Sequence, residues 1–218
     1  MTALSLQQLY QHMNQTMGPQ EWLQPGTTFA QTPWEVMWGA ILIQNTNWRN
    51  VIPALQNLEA KTAFEPQRVL TLSEAKVAEM IHSSGFYTRK AATLLAVASW
   101  TQRYDFDLTK MRQTSGKQLR TELLALRGIG PETADYILMY VLDVPHFMAD
   151  KYAQRLFTQL GATYPNSYAA FQKKAEAQLQ LDLAGYQNFH ALIDNFEKSV
   201  RTTADFQASF LNEVHLVF

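Results

Sequence analysis

Three observations predict an all-α fold. Apolar residues recur at spacings of three and four along nearly the whole chain, as on one face of a helix. No stretch gives a convincing period-two alternation. The helical segments follow one another with short connections and no low-complexity linker. The elements then read in order. "TPWEVMWGAILIQNT" opens at Thr32, with Pro33 suited to a first helical turn, and its apolar run is long enough for a buried segment. "TLSEAKVAEMIHSSG" offers Thr71 and Glu74 as a capping box and Gly85 as a C-cap. "TRKAATLLAVASW", "SGKQLRTELLAL", "PETADYILMYVL", "KYAQRLFTQLG" and "YQNFHALIDNFEKSV" complete the helical series.

A chain of 218 residues, 47% hydrophobic, can bury a sizeable core in one large domain or two smaller lobes. With no cysteine it has no disulfide, no thiolate metal site and no Cys-ligated iron–sulfur cluster. Residues 1–17 are polar and lack the apolar core of a signal peptide. No run approaches the roughly 18 apolar residues of a membrane span. A soluble cytoplasmic protein is the expectation, with no membrane partner. Net charge is −1, but Gly85 to Gly130 holds eight bases against three acids. That run reads either as a solvated face or as an electrostatic footprint for phosphates.

The stretch "LRGIGPETADYILMYV" carries most information. Gly128-Ile129-Gly130 falls between helical segments 115–126 and 131–142, making a very tight helix hairpin. Glycines can simply permit that turn. They also leave bare backbone N–H groups at a helix N-terminus, which can hold a DNA phosphate without reading a base. Twenty residues past Gly130, Asp150 stands at the mouth of the next helix, where aspartate is a good N-cap.

Together, "LRGIGPETADYIL…FMADKYAQRLFTQLG" resembles the helix–hairpin–helix, Gly/Pro-rich loop, aspartate signature of the endonuclease III superfamily of DNA glycosylases. "WGAILIQNTNW" and "GFYTRKAATLL" resemble two upstream segments of that family, in the right order. The Gln-Asn-Thr wording and the Asp-Lys-Tyr after the motif are closer to its 3-methyladenine glycosylase branch. The resemblance implies a six-helix barrel over 33–142 that ends in the hairpin. A second lobe would join 1–32 to 143–218, with Asp150 facing a nucleotide flipped from the duplex. It implies double-stranded DNA with a damaged base as partner, and a monomeric enzyme.

Under that resemblance Asp150 is the catalytic residue. Breaking an N-glycosidic bond builds positive charge on the sugar; a carboxylate stabilises it and positions or deprotonates the attacking water. Family members that also cut the backbone carry a lysine two residues after the second hairpin glycine, where this chain has Glu132. Lys151 adjoins Asp150, but neighbours on a helix point roughly 100° apart, so it reads as a DNA-facing or solvated charge. Gly128, Gly130, Glu132, Thr133, Gln44 and Lys151 are therefore the expected DNA contacts. Gln44 matches the family position that fills the gap left by the flipped base; otherwise it is a helix C-cap amide. Trp22, Trp34 and Trp48 are the candidates for the base pocket, with Trp38, Phe86 and Tyr87 as further aromatics. The five histidines (His12, His82, His146, His190 and His215) have no metal-ligand spacing and read as ordinary residues. No cofactor or metal is expected. Two other readings stay open: a bifunctional lyase on oxidised pyrimidines, and a DNA-binding module without chemistry.

Overall fold

A computed structural model describes residues 1–20, 30 and 32–218. In chain order the elements are β1 (Thr2–Ser5), α1 (Leu6–Met17), α2 (Pro33–Leu42), α3 (Trp48–Thr62), α4 (Pro66–Val69), α5 (Glu74–Met80), α6 (Tyr87–Gln102) and α7 (Leu108–Arg112). They continue as α8 (Gly116–Leu124), α9 (Pro131–Val141), α10 (Lys151–Gln159), α11 (Tyr168–Glu176), α12 (Leu183–Ser199), α13 (Thr203–Gln207) and β2 (Val214–Val217). The fold is that of a helical protein. It divides into two compact units, Leu23–Val144 and Met1–Trp22 with Pro145–Phe218.

In the first unit α2 is the buried helix. Thr32 caps it through its hydroxyl, Pro33 occupies the first turn, and Val36 to Leu42 are all buried. It packs on α9, α3 and α6. Trp38 is part of this core, its indole N–H donating to the Phe64 carbonyl at 2.8 Å. Helix α3 escapes the sequence reading because Pro53 lies inside it, a residue that removes a ladder donor and breaks the helical pattern. The capping box expected at Thr71 is corrected. Ser73 caps α5, accepting from the Lys76 N–H, and Glu74 becomes the first helical residue. The Thr71 hydroxyl instead donates to the Arg68 carbonyl.

In the second unit α12 packs against α10 and α1, and Phe147, Phe157, Phe171 and Phe189 cluster around them. Strands β1 and β2 pair in parallel, with Thr2 opposite Val214 and Ser5 opposite Val217. At four residues each, they are too short to show a readable alternation.

The face of α12 toward α10 is polar and buried at His190, Asp194 and Glu197. Burial lifts the Glu197 carboxyl to about 7, against the pull of the Arg155 guanidinium and with a further push from the Asp150 charge. The folded state therefore holds a proton that the unfolded chain releases near 4.5. The stability this contributes is present at pH 4 and lost as pH rises through 7. Thermal unfolding of Glu197→Gln and wild type should show the variant gaining relative stability between pH 5 and pH 8. A difference that does not vary with pH would refute the shift.

Candidate active site

The hairpin is built from a short set of contacts within the first unit. Gly128 takes a φ of +91°, the left-handed region that glycine enters without a Cβ penalty. A Cβ there would lie 2.1 Å from the Thr93 hydroxyl of α6. Gly130 is different: it is the N-cap of α9 at φ −93°, with no side-chain cap and open space around a notional Cβ. Among the described residues the N–H groups of Gly128 and Gly130 have no acceptor. Pro131 supplies none. Two bare amides and the positive end of α9 thus form a pole suited to an anion.

Gln44 is joined to this pole. The C-cap of α2 is Ile43, so the amide of Gln44 is not the cap. It donates to the Gly128 carbonyl at 3.2 Å and to the Thr133 hydroxyl at 2.9 Å. Three of the residues singled out from sequence, separated by more than 80 positions, are thereby brought together. Glu132 lies in the first turn of α9, where a carboxylate suits the helix dipole.

The basic stretch must be pruned. Lys90 is buried, its ammonium donating at 2.7 Å to the carbonyls of both Leu42 and Ser84, and burial lowers its pKa to about 8. It ties α6 to the end of α2 just before Gln44 and cannot meet a phosphate. Arg120 makes a two-pronged pair with the buried Asp135, at 2.6 and 3.1 Å. Arg112 binds Asp143 at 2.8 Å and the Val141 carbonyl. Lys110 pairs with Asp105 and Arg103 with Glu122. Arg89, Lys117 and Arg127 are exposed, with no ion pair among the described residues. If all three meet phosphates, replacing them together by Ala should cut the magnitude of the log K against log salt slope by about 2.7, at roughly 0.9 per contact. Eight contacts would give about 7. An unchanged slope in the triple variant would make the stretch a solvated face.

Of the aromatics, Trp38 is core, and Trp22 lies outside the described residues. Trp34 is half-buried and stacks on Trp38, centroids 6.5 Å apart and rings 20° from parallel. Trp48 is also half-buried; its indole lies against Gly39, where a Cβ would stand 3.3 Å away. Phe86 is 62% exposed and takes a left-handed φ of 48° at the start of α6.

Asp150 belongs to the second unit and is the N-cap of α10. Its Oδ1 accepts from the Ala153 N–H at 2.9 Å. The residue is nevertheless only 8% exposed, and Oδ2 is left for other work. That oxygen lies 3.6 Å from Nε2 of His190 on α12. Lys151 is exposed and turned toward its neighbour, its ammonium 4.9 Å from the Tyr152 ring centroid. Sequence reasoning passed over His190. The readable signal was the polar residues at 190, 194 and 197, which share one helix face among apolar neighbours.

The described residues contain no helix long and apolar enough to cross a membrane and no cluster of three His, Asp or Glu side chains that could hold a metal. Residues 38–180 match the family described as HhH-GPD superfamily base excision DNA repair protein. A Methanocaldococcus jannaschii protein, provisionally named a DNA repair glycosylase, is 39% identical over 167 residues, 75% of this chain and 76% of that one. Among solved structures, the H. pylori 3-methyladenine DNA glycosylase bound to 1,N6-ethenoadenine shares the fold. Its TM-score is 0.71 at 24% identity, over 89% of this chain and 98% of that one. A trapped endonuclease III–DNA covalent intermediate gives 0.70 at 17% identity, over 89% and 85%. The chain belongs to the HhH-GPD superfamily of base excision DNA repair proteins and is a DNA glycosylase.

Proposed function

We propose that the enzyme is monofunctional: it hydrolyses the N-glycosidic bond of an alkylated purine, 3-methyladenine among them, and leaves an abasic site. The observation that carries this reading is a buried Asp150 that keeps one oxygen outside its cap, in a chain whose hairpin position for the lysine is Glu132. A glutamate at the hairpin cannot attack as an amine would. Asp150 acts instead. The glycosidic electron pair leaves with the base, which neutralises the positive charge that alkylation put on the purine. The sugar cation that remains is stabilised by the carboxylate. Water adds to the anomeric carbon and its proton passes to Asp150, so the phosphodiester backbone stays intact.

An alkylated purine departs without a general acid, which suits a site with one carboxylate, and a damaged base is also cheaper to extrude. The Gly128–Gly130 amides would take a backbone phosphate, Gln44 would fill the space the base vacates, and Trp34 and Trp48 would offer faces for a cationic ring. The protein would act as a cytoplasmic monomer without a cofactor. The test is a panel of duplexes, each with one lesion: methylated purine, oxidised pyrimidine, uracil or adenine mispair. Release should be confined to the methylated purine, with strand breaks appearing only after alkali. Borohydride trapping of a covalent adduct, or cutting without alkali, would overturn the monofunctional reading.

A further inference from the structure

Two polar contacts set α12 against α10. At one, Glu197 Oε2 meets Arg155 Nε at 2.6 Å, and the Arg155 guanidinium also donates to the Val200 carbonyl. At the other, His190 faces Asp150. His190 is 7% exposed and Asp150 8%, so each is withheld from water that could otherwise satisfy it. Asp194, between them on α12, binds Lys198 at 2.5 Å.

The terminal torsion of aspartate is broad, so a hydrogen bond to one oxygen alone sets the plane of the carboxylate less firmly than bonds to both. Asp150 is held by one oxygen: Oδ1 is fixed by the Ala153 N–H. We propose that His190 is a positioning residue for Asp150, its Nε2 edge holding Oδ2 in the orientation that base release requires. The 3.6 Å separation is longer than a hydrogen bond, and a movement of less than about 1 Å closes it to one. The Arg155–Glu197 pair fixes the two helices and so sets the distance over which that movement occurs. This inference rests on Asp150 being the catalytic carboxylate.

The test is single-turnover release of purines from dimethyl sulfate-treated duplex DNA; if wild type releases none there, the same series is run on whichever lesion of the panel it does release. His190→Leu should lower the rate by about 10–100-fold, the scale expected when a reacting group is misplaced by about 1 Å, with DNA binding unchanged. His190→Gln, whose amide nitrogen reaches the Nε2 position, should recover most of the rate; His190→Asn, which is too short, should not. In an Asp150→Asn background, His190→Leu should add less than about twofold, because residues that act through one another are not additive. A folded His190→Leu with wild-type rate, or losses that multiply in the double variant, would overturn the proposal. If His190→Leu does not fold, the Gln and Asn variants decide, and equal rates overturn it. Undiminished release by Asp150→Asn, or no lesion released by the wild type, would instead remove the catalytic reading and this inference with it.

Discussion

Base release should fall by about 10²–10⁴-fold in Asp150→Asn, the range of a lost general base, while the melting temperature barely moves. The two halves of that expectation come from different oxygens of one side chain. Asn caps a helix about as well as Asp, so the bond to the Ala153 N–H survives through Oδ1. An amide cannot accept the water's proton at neutral pH, and it carries no charge to offset the sugar cation. Binding to undamaged duplex should persist. Removal of the charge also relieves the push on Glu197, so stability at pH 8 should rise slightly rather than fall. Retained release with a lowered melting temperature would make Asp150 a structural cap.

Gly128→Ala should destabilise the protein by about 3 kcal/mol, combining left-handed backbone strain with overpacking against Thr93. For a chain of this length that lowers Tm by roughly 6–12 °C. The two contributions are separable. Thr93→Ala removes the hydroxyl that a Cβ would strike at 2.1 Å, so the double variant should recover the packing part and keep the strain. Gly130→Asp makes the opposite case: φ is ordinary there and nothing stands within 4 Å. The new carboxylate can cap α9, so folding should be intact or improved. DNA binding should weaken on every sequence alike, because a carboxylate at that pole repels a phosphate and phosphate contacts carry no sequence information. Loss confined to some sequences would argue against a phosphate site.

These variants also mark how far the residues could be read unaided. Thr32-Pro33 and Gly128-Ile129-Gly130-Pro131 were legible because each signal is local: a cap beside a proline, a glycine where the backbone must turn. Asp150 was legible as a cap for the same reason. His190, Lys90 and Gln44 were harder, since each has a partner 40 to 90 positions away and helical periodicity does not name it. Lys90 in particular is indistinguishable by sequence from a solvated lysine. Only the packing of α6 on α2 buries it.

The ribbon of β1 and β2 bears on how the molecule comes into being. The unit containing Leu23–Val144 is one unbroken stretch, so every partner it needs has been synthesised before Pro145 is reached. The other unit must wait. Strand β1 is made early, yet its edge stays unpaired until Val214–Val217 has emerged, long after the hairpin could have closed. Assembly on the ribosome therefore runs from the middle of the chain outward, with the β1–β2 pair formed after the continuous unit has its partners. A chain ending at Val144 and released from the ribosome should already protect its Trp38 indole from solvent, while one ending near Ser199 still exposes β1 to protease.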